Sequence, residues 1–247
     1  MNFRILPLAT VVAALSCRET RQQSALASNG ASAGAQTEQP ADSTDWKAVD
    51  RAMGRPGKPQ PDGTYKYSLP RSDLKVTATG VAVKPALALG SWVAFHREGG
   101  KTMAMGDLVL AEAEVTPVLS KLQQLDVKAT ALHNHLLRES PHVMYLHIEG
   151  EGDPVKIAQA IHAAVALTGT PAAPPNAPAS PALGLDTTAV AQALRYTGKV
   201  NGGVYQVSVP RADPVRADGM TIPPSMGVAT AINFQPTGGN KAAITGD

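Results

Sequence analysis

Thiol groups are almost absent from this chain of 247 residues, because Cys17 is its one cysteine. A single thiol cannot form an internal disulfide, so the fold must depend on side-chain packing. Hydrophobic residues make up 43% of the chain. This length and apolar content are sufficient for the core of one large domain or two modest ones.

Aromatic residues and clustered positive charges are also scarce. Aromatic residues make up 4% of the chain, and the formal net charge is +2 without a long basic run. A nucleic-acid surface normally combines a basic stripe with aromatic side chains that stack on the bases. We therefore expect a protein that does not bind nucleic acid.

The apolar run at residues 5–15 is too short to span a bilayer, and it follows a short basic start. It leads into Ala14-Leu15-Ser16-Cys17, which is similar to the lipobox of bacterial lipoproteins. We predict that residues 1–17 are an export signal and that a lipid on Cys17 anchors the protein to the membrane. The predicted location is the cell envelope or periplasm. Plain secretion, with cleavage after Ala27, is the alternative.

Two segments of biased composition divide the rest of the chain. Residues 18–44 are small and polar, as in a flexible tether. Residues 169–184 are rich in proline and alanine, as in a semi-rigid linker. The predicted folded units are therefore residues 45–168 and 185–247.

The two folded units are related in sequence. Residues 63–73 and 203–213 agree at six of eleven positions without a gap, and Gly106-Asp107 falls opposite Gly246-Asp247. Agreement in order, spacing and glycine positions is typical of an internal repeat. The first copy continues beyond Asp107 to residue 168, whereas the second stops at the equivalent aspartate. We expect an incomplete second unit, from a fragment or a truncated reading frame.

Hydrophobic periodicity predicts an α+β fold. In the second half of the first unit the predicted order is strand, helix, strand, strand, helix. This order is typical of a ferredoxin-like split β-α-β layer, with a sheet and helices on one face. The predicted strands are 65–69, 74–83, 91–96, 102–110, 127–136 and 143–149, and the predicted helices are 44–53, 111–125 and 154–167. Asp153 and Pro154 form a typical start for the last helix.

The chemically distinctive segment is rich in histidine. His133 and His135 are two residues apart on a predicted strand, so their side chains should share one face. A short turn joins this strand to the strand that carries His147, which predicts antiparallel pairing and brings the third imidazole close. We predict a metal site at these three residues; histidines that bind no ligand are the alternative.

Glu139 lies in the predicted turn between the two strands and can supply a carboxylate. Three imidazole nitrogens and an oxygen suit Zn, Fe, Ni or Cu better than Ca or Mg. Three functions remain open. The protein binds a transition metal, or a small ligand through one; it is a metal-dependent enzyme with Glu139 as general base or fourth ligand; or it is an interaction module without a site.

A Pro-Arg-x-Asp sequence occurs in both copies, with Arg71 and Asp73 in the first and Arg211 and Asp213 in the second. An arginine paired with an aspartate can bind an anionic ligand or fix a turn. We expect the second role.

Several motifs together resemble the LppY/LpqO lipoprotein family, a bacterial family of unknown function with a duplicated unit. These motifs are residues 65–73, 105–107, 130–137, 141–147 and 223–227. The resemblance covers residues 45–247 and implies export and a duplicated architecture, but no reaction. Full-length members carry a second histidine-rich segment after the second Gly-Asp.

Overall fold

The computed structural model describes residues 44–172, 183–239 and 241–246. The predicted export signal, Cys17 and nearly all of the predicted tether lie outside these described residues. So do residues 173–182, which form most of the predicted linker. Among the helices of the described ranges, none is both long enough and apolar enough to cross a bilayer.

The described residues contain five α-helices, two short 3-10 helices and fifteen strands. The helices are α1 Trp46–Met53, α2 Pro85–Ala88, α3 Val115–Gln124, α4 Pro154–Val165 and α5 Thr187–Leu194, with 3-10 turns at Glu112–Glu114 and Pro224–Met226. The strands are β1 Lys58–Pro59, β2 Tyr65–Pro70, β3 Thr77–Ala78, β4 Val81–Ala82, β5 Gly90–Glu98, β6 Lys101–Ala111, β7 Lys128–His133, β8 Glu139–Ser140, β9 Val143–Glu151, β10 Lys199–Asn201, β11 Val204–Val209, β12 Val215–Ala217, β13 Met220–Ile222, β14 Thr230–Gly238 and β15 Lys241–Gly246.

Local sequence explains where the main helices begin. The side chain of Asp45 accepts hydrogen bonds from the backbone N–H groups of Lys47 and Ala48 at the start of α1. Asp153 caps α4 in the same way, with Pro154 at its first turn. These side chains satisfy backbone donors that have no partner inside the helix. The predicted start of the last helix is confirmed.

The main sheet has six strands in the order β1-β2-β5-β6-β9-β7, and neighbouring strands are antiparallel. Because β9 lies between β6 and β7, these two strands run parallel, and α3 connects them. This arrangement is a split β-α-β unit. The predicted α+β fold is confirmed.

One face of the main sheet packs against the helices α1, α3 and α4. Alternate residues of β6, namely Ala104, Leu108 and Leu110, point into this core, and so do Leu146 and Ile148 of β9. Each of these larger aliphatic side chains contributes roughly 1.5–3 kcal/mol by leaving water. The intervening residues of β6 and β9 must therefore face the opposite side of the sheet.

The opposite face carries two apolar clusters. Val109 and Tyr145 belong to one cluster, which also contains α2 residues and Val204. Met103 belongs to the other, where Met220 and Met226 pack against it. Along β6 the side chain of Asp107 lies between these two clusters. A carboxylate thus lies between two apolar clusters on this face of the sheet.

The second half of the chain repeats the element order of the first. The strands β10, β11, β14 and β15 form a four-stranded antiparallel sheet in this order, preceded by α5. This order corresponds to β1, β2, β5 and β6, preceded by α1. The β12–β13 hairpin takes the chain position of the β3–β4 hairpin. Two family segments and this element order are compatible with repeated units.

Two predicted strands differ in the structure. The predicted strand 74–83 is instead the hairpin of β3 and β4, because Thr79 and Gly80 adopt left-handed backbone angles of 47° and 82° in φ and reverse the chain. The predicted strand 127–136 ends at His133. The backbone then turns through Arg138, which has φ of 59°, before β8 begins.

The predicted helix 111–125 also begins later than expected. Residues Glu112–Glu114 form a 3-10 turn, and α3 starts at Val115. The Glu114 side chain accepts a hydrogen bond from the backbone N–H of Ala111 at 2.8 Å, which fixes this turn between β6 and α3.

Candidate metal centre

The three histidines predicted as ligands lie on two neighbouring strands at the edge of the main sheet. His133 is the last residue of β7 and pairs with Tyr145 of β9. His147 lies two residues further along β9, on the same face as Tyr145, and is paired with Ala131. His135 follows two residues after β7 ends. The sheet register therefore directs His133 and His147 to one side.

The imidazole rings of these residues meet. The Nε2 atoms of His133 and His147 are 3.0 Å apart. One ligand atom from each of His133, His135 and His147 falls within 4.8 Å of the other two. Nitrogen atoms bound to one ion by bonds of about 2.1 Å are separated by roughly 3.0–4.2 Å, depending on the coordination geometry. The three rings can therefore surround a common ion after a small adjustment.

Tyr145 positions the ring of His135. The two ring centroids are 4.0 Å apart, and the Tyr145 hydroxyl donates a hydrogen bond of 2.7 Å to the carbonyl of Ala88. Burial raises the pKa of Tyr145, and the negative charges of Asp107 and Glu139 add to this effect. The phenol therefore stays neutral. Its ring packs against the imidazole of His135, and its hydroxyl is held by the hydrogen bond to Ala88.

Asp107 is a neighbour of the histidine cluster that the sequence interpretation did not assign to a site. It lies directly opposite His147 in the pairing of β6 with β9. Its Oδ2 atom is 3.9 Å from Nε2 of His147. The available signal was the recurrence of Gly-Asp in both copies, which served only to identify the repeat.

Glu139 lies between β7 and β9, as the sequence predicts, but in a short strand instead of a turn. It lies in β8, which pairs with β3, and the residue is only 4% exposed. Its Oε1 atom is 3.2 Å from Nδ1 of His142, whose side chain is largely exposed. Glu139 is not among the ligand atoms that converge with the three histidines.

The Arg71–Asp73 pair belongs to the turn after β2. All five N–H groups of Arg71 have acceptors: its Nε and Nη2 atoms donate to Asp73, both Nη atoms donate to Glu114, and Nη1 also donates to the carbonyl of Val109. The Arg71 side chain is 1% exposed. A guanidinium with five occupied donors has none left for an external anion. The structure therefore agrees with the expected role in fixing the turn.

A second group of potential ligands consists of Glu149, Glu151 and Asp218. Lys128 Nζ lies 2.9 Å from a Glu149 oxygen and 3.4 Å from a Glu151 oxygen. Lysine thus already supplies positive charge to two of these three carboxylates.

The fold and the site together define an α+β protein with a histidine-based candidate metal centre at the edge of its main sheet. The chain belongs to the family described as Domain of Unknown Function (DUF1259), whose model matches residues 47–167 and 188–247. The first matched segment contains all three histidines. No curated protein matches the chain. No solved structure matches it either.

Proposed function

We propose that this protein binds a divalent first-row transition metal ion through His133, His135 and His147. The observation that carries the proposal is the convergence of three ligand atoms within 4.8 Å, including two Nε2 atoms 3.0 Å apart. Imidazole nitrogen suits Zn, Fe, Ni and Cu, whereas Ca and Mg prefer oxygen ligands.

The position of the cluster supports binding of an ion that can also reach a small molecule. The His147 side chain is 38% exposed, and His133 and His135 are partly exposed. An ion held at this sheet edge would keep a side open to solvent. A small ligand that carries a carboxylate, hydroxyl or amine group can coordinate a metal at such an open position.

The proposal is tested by titration of the metal-free protein with Zn²⁺ in a calorimeter, together with metal analysis after dialysis. We expect one tightly bound ion per chain in the wild type. His133→Ala combined with His135→Ala should abolish this binding, because one imidazole alone remains. The matched control is His142→Ala combined with His162→Ala, since both residues are exposed and lie outside the cluster.

Equal Zn²⁺ binding by the wild type and the cluster variant would refute the proposal. Absence of binding in the wild type would leave the non-catalytic interaction module as the better description of the protein.

The enzymatic alternative relies on Glu139 as general base. Its support is the position of the buried Glu139 carboxylate, whose Oε1 atom lies 3.2 Å from Nδ1 of His142, because a carboxylate beside an imidazole can take part in proton transfer. Because Glu139 lies outside the converging ligand atoms, metal binding is the better-supported function. Turnover of a substrate panel that is lost in Glu139→Gln, with metal content unchanged, would favour the enzyme.

The proposal extends to location. We propose that the chain is an LppY/LpqO-type lipoprotein that is exported and anchored in the cell envelope through a lipid on Cys17. The basis is the short basic start, the apolar run and the lipobox-like residues 14–17. Metabolic labelling with a radioactive fatty acid should label the wild type, and Cys17→Ser should lose both the label and membrane association. A labelled Cys17→Ser protein would refute the anchor.

A further inference from the structure

Asp107 lies on β6, next to the strand β9 that carries His147, and its side chain is close to the candidate metal centre. β6 and β9 place Asp107 directly opposite His147, on the sheet face opposite the helices α1, α3 and α4. The Oδ2 atom of Asp107 is 3.9 Å from Nε2 of His147. The same Nε2 atom is 3.0 Å from Nε2 of His133. The carboxylate therefore approaches the very nitrogen that faces the other imidazoles.

The distance of 3.9 Å between Asp107 Oδ2 and His147 Nε2 distinguishes a direct hydrogen bond from the binding of a shared ion. It is too long for a direct hydrogen bond between the carboxylate and the imidazole, which requires about 2.7–3.2 Å. It lies within the roughly 3.0–4.2 Å expected between an oxygen and a nitrogen that bind one ion at about 2.1 Å each. The distance thus fits two ligands of a shared cation.

The burial of Asp107 supports the same conclusion. Its side chain is 12% exposed, and its neighbours on this face of β6, Met105 and Val109, pack in the two apolar clusters. A mostly buried carboxylate is stabilised when positive charge lies close to it. The three imidazoles are neutral when they bind a metal, so a divalent ion among them would supply this charge.

We infer that Asp107 is the fourth protein ligand of the metal ion held by His133, His135 and His147. This inference rests on the proposed metal binding. Asp107 lies outside the group of atoms within 4.8 Å of one another, so its side chain rotates toward the ion on binding. Three nitrogens and one carboxylate oxygen give a site with one negative charge. Such a site favours a divalent cation over a monovalent one and leaves further positions of a six-coordinate ion for water or a small ligand.

The test uses Co²⁺ as the probe, because its visible absorption reports the number and type of ligands. The full chain is titrated with Co²⁺ while the absorption bands and the affinity are recorded. We expect Asp107→Asn to lower the Co²⁺ affinity at least tenfold and to shift the visible bands. Asp107→Ser is the second variant, so that the test holds if the asparagine variant does not fold. The matched control is Glu112→Gln, which removes an exposed carboxylate that belongs to neither group of potential ligands.

The outcomes of this test distinguish failure of the Asp107 assignment from failure of the proposed metal binding by the three histidines. Wild-type affinity and spectrum in the Asp107 variants would overturn the ligand assignment while metal binding stands. Lower affinity with an unchanged spectrum would also overturn it, because Asp107 would then only orient His147. If the wild type binds no Co²⁺, or binds it equally after His133→Ala plus His135→Ala, the proposed metal site itself fails.

Discussion

Arg71 and Glu114 form a bidentate ion pair between the turn after β2 and the start of α3. The Nη1 atom of Arg71 lies 2.7 Å from Oε2 of Glu114, and Nη2 lies 3.0 Å from Oε1. Parallel hydrogen bonds of this kind fix orientation as well as distance. The pair joins two elements that are 43 positions apart in the sequence.

We expect Glu114→Gln to destabilise the fold by about 2 kcal/mol, because the buried guanidinium of Arg71 loses one of its two carboxylate partners and keeps only Asp73. The free energy of unfolding from urea denaturation measures this loss. Glu112→Gln is the control, since Glu112 is exposed on the same 3-10 turn. Similar losses in both variants would mean that the ion pair is not the cause.

Asp73 should make stability depend on acid. Burial alone would raise the pKa of Asp73, but hydrogen bonds and the charge of Arg71 outweigh burial and hold it below its usual range. A carboxyl with a lowered folded pKa stabilises the protein above its unfolded pKa of about 3.9, and this stability disappears as the pH falls through the folded pKa. Asp73→Asn should therefore lower stability at pH 7 and flatten its decline below pH 4.

Urea denaturation between pH 7 and pH 2 tests the role of Asp73. Asp213→Asn is a control from the second copy, where the equivalent aspartate is exposed. If Asp73→Asn loses stability with acid as steeply as the wild type does, the predicted coupling to Arg71 is wrong.

Metal binding should stabilise the folded chain. An ion that binds only the folded state at one hundred times its dissociation constant adds about 2.7 kcal/mol to the free energy of unfolding. We expect Zn²⁺ to raise the melting temperature of the wild type and of His162→Ala. His147→Ala should show a much smaller rise, because the ion loses one of the three converging imidazoles. Thermal unfolding with and without Zn²⁺ provides the measurement, and an equal rise in all three proteins would argue against the site.

Gly106 should not tolerate a larger side chain. A methyl group at this position would lie 2.8 Å from the Trp92 carbonyl oxygen and 3.1 Å from Ile148. Overpacking of this kind costs about 1–3 kcal/mol. Gly106→Ala should lower stability and, because Asp107 is the next residue, weaken Zn²⁺ binding. Gly90→Ala is the control on the adjacent strand, where the nearest atom to an added methyl group is 3.6 Å away. Urea denaturation and Zn²⁺ titration of both variants test the prediction.

Lys66 should add a second pH dependence at high pH. Burial lowers the pKa of Lys66 to about 8, while Asp62 opposes and Lys199 adds to the shift. Between this pH and the unfolded pKa of about 10.4 the unfolded chain binds more protons, so stability from this group rises with pH. The rise should be at most about 3 kcal/mol, because solvent screens a partly exposed group.

The difference between the wild type and Lys66→Met isolates this rise from the titration of tyrosines. We expect the wild type to gain stability relative to Lys66→Met from pH 8 to pH 10.5, as measured by urea denaturation. Lys47→Met, at an exposed position of α1, should show no such gain. A constant difference across this pH range would contradict the prediction.

Most of the fold could be predicted because its signals are local. Asp153 and Pro154 start α4, and the glycines 99 and 100 form the turn between β5 and β6 with left-handed φ of 59° and 80°. The order of strands and helices after residue 101 defined the split β-α-β unit. The β3–β4 hairpin differs from the single strand that the sequence predicts, because hydrophobic residues alternate on both sides of the turn and Thr79 is an unusual residue at positive φ.

The candidate metal site could be predicted only in part. His133, His135 and His147 could be predicted from the sequence, because the spacing of the first two and the short turn before the third place them together. Glu139 was expected in the same turn, but β8 pairs with β3 and draws its carboxylate toward His142 instead. Asp107 is 26 positions before His133 by number, and nothing local connects them.

The sequence by itself determined the repeated unit, the order of most elements and the three histidines, since each depends on residues close in the chain. Tertiary structure alone decided that Asp107 faces His147, because that contact requires β6 to pair with β9. It also decided that Arg71 is buried while Arg211, in the same motif, is exposed. The two copies of the Pro-Arg-x-Asp motif differ in burial because burial depends on the distant segments that pack against them.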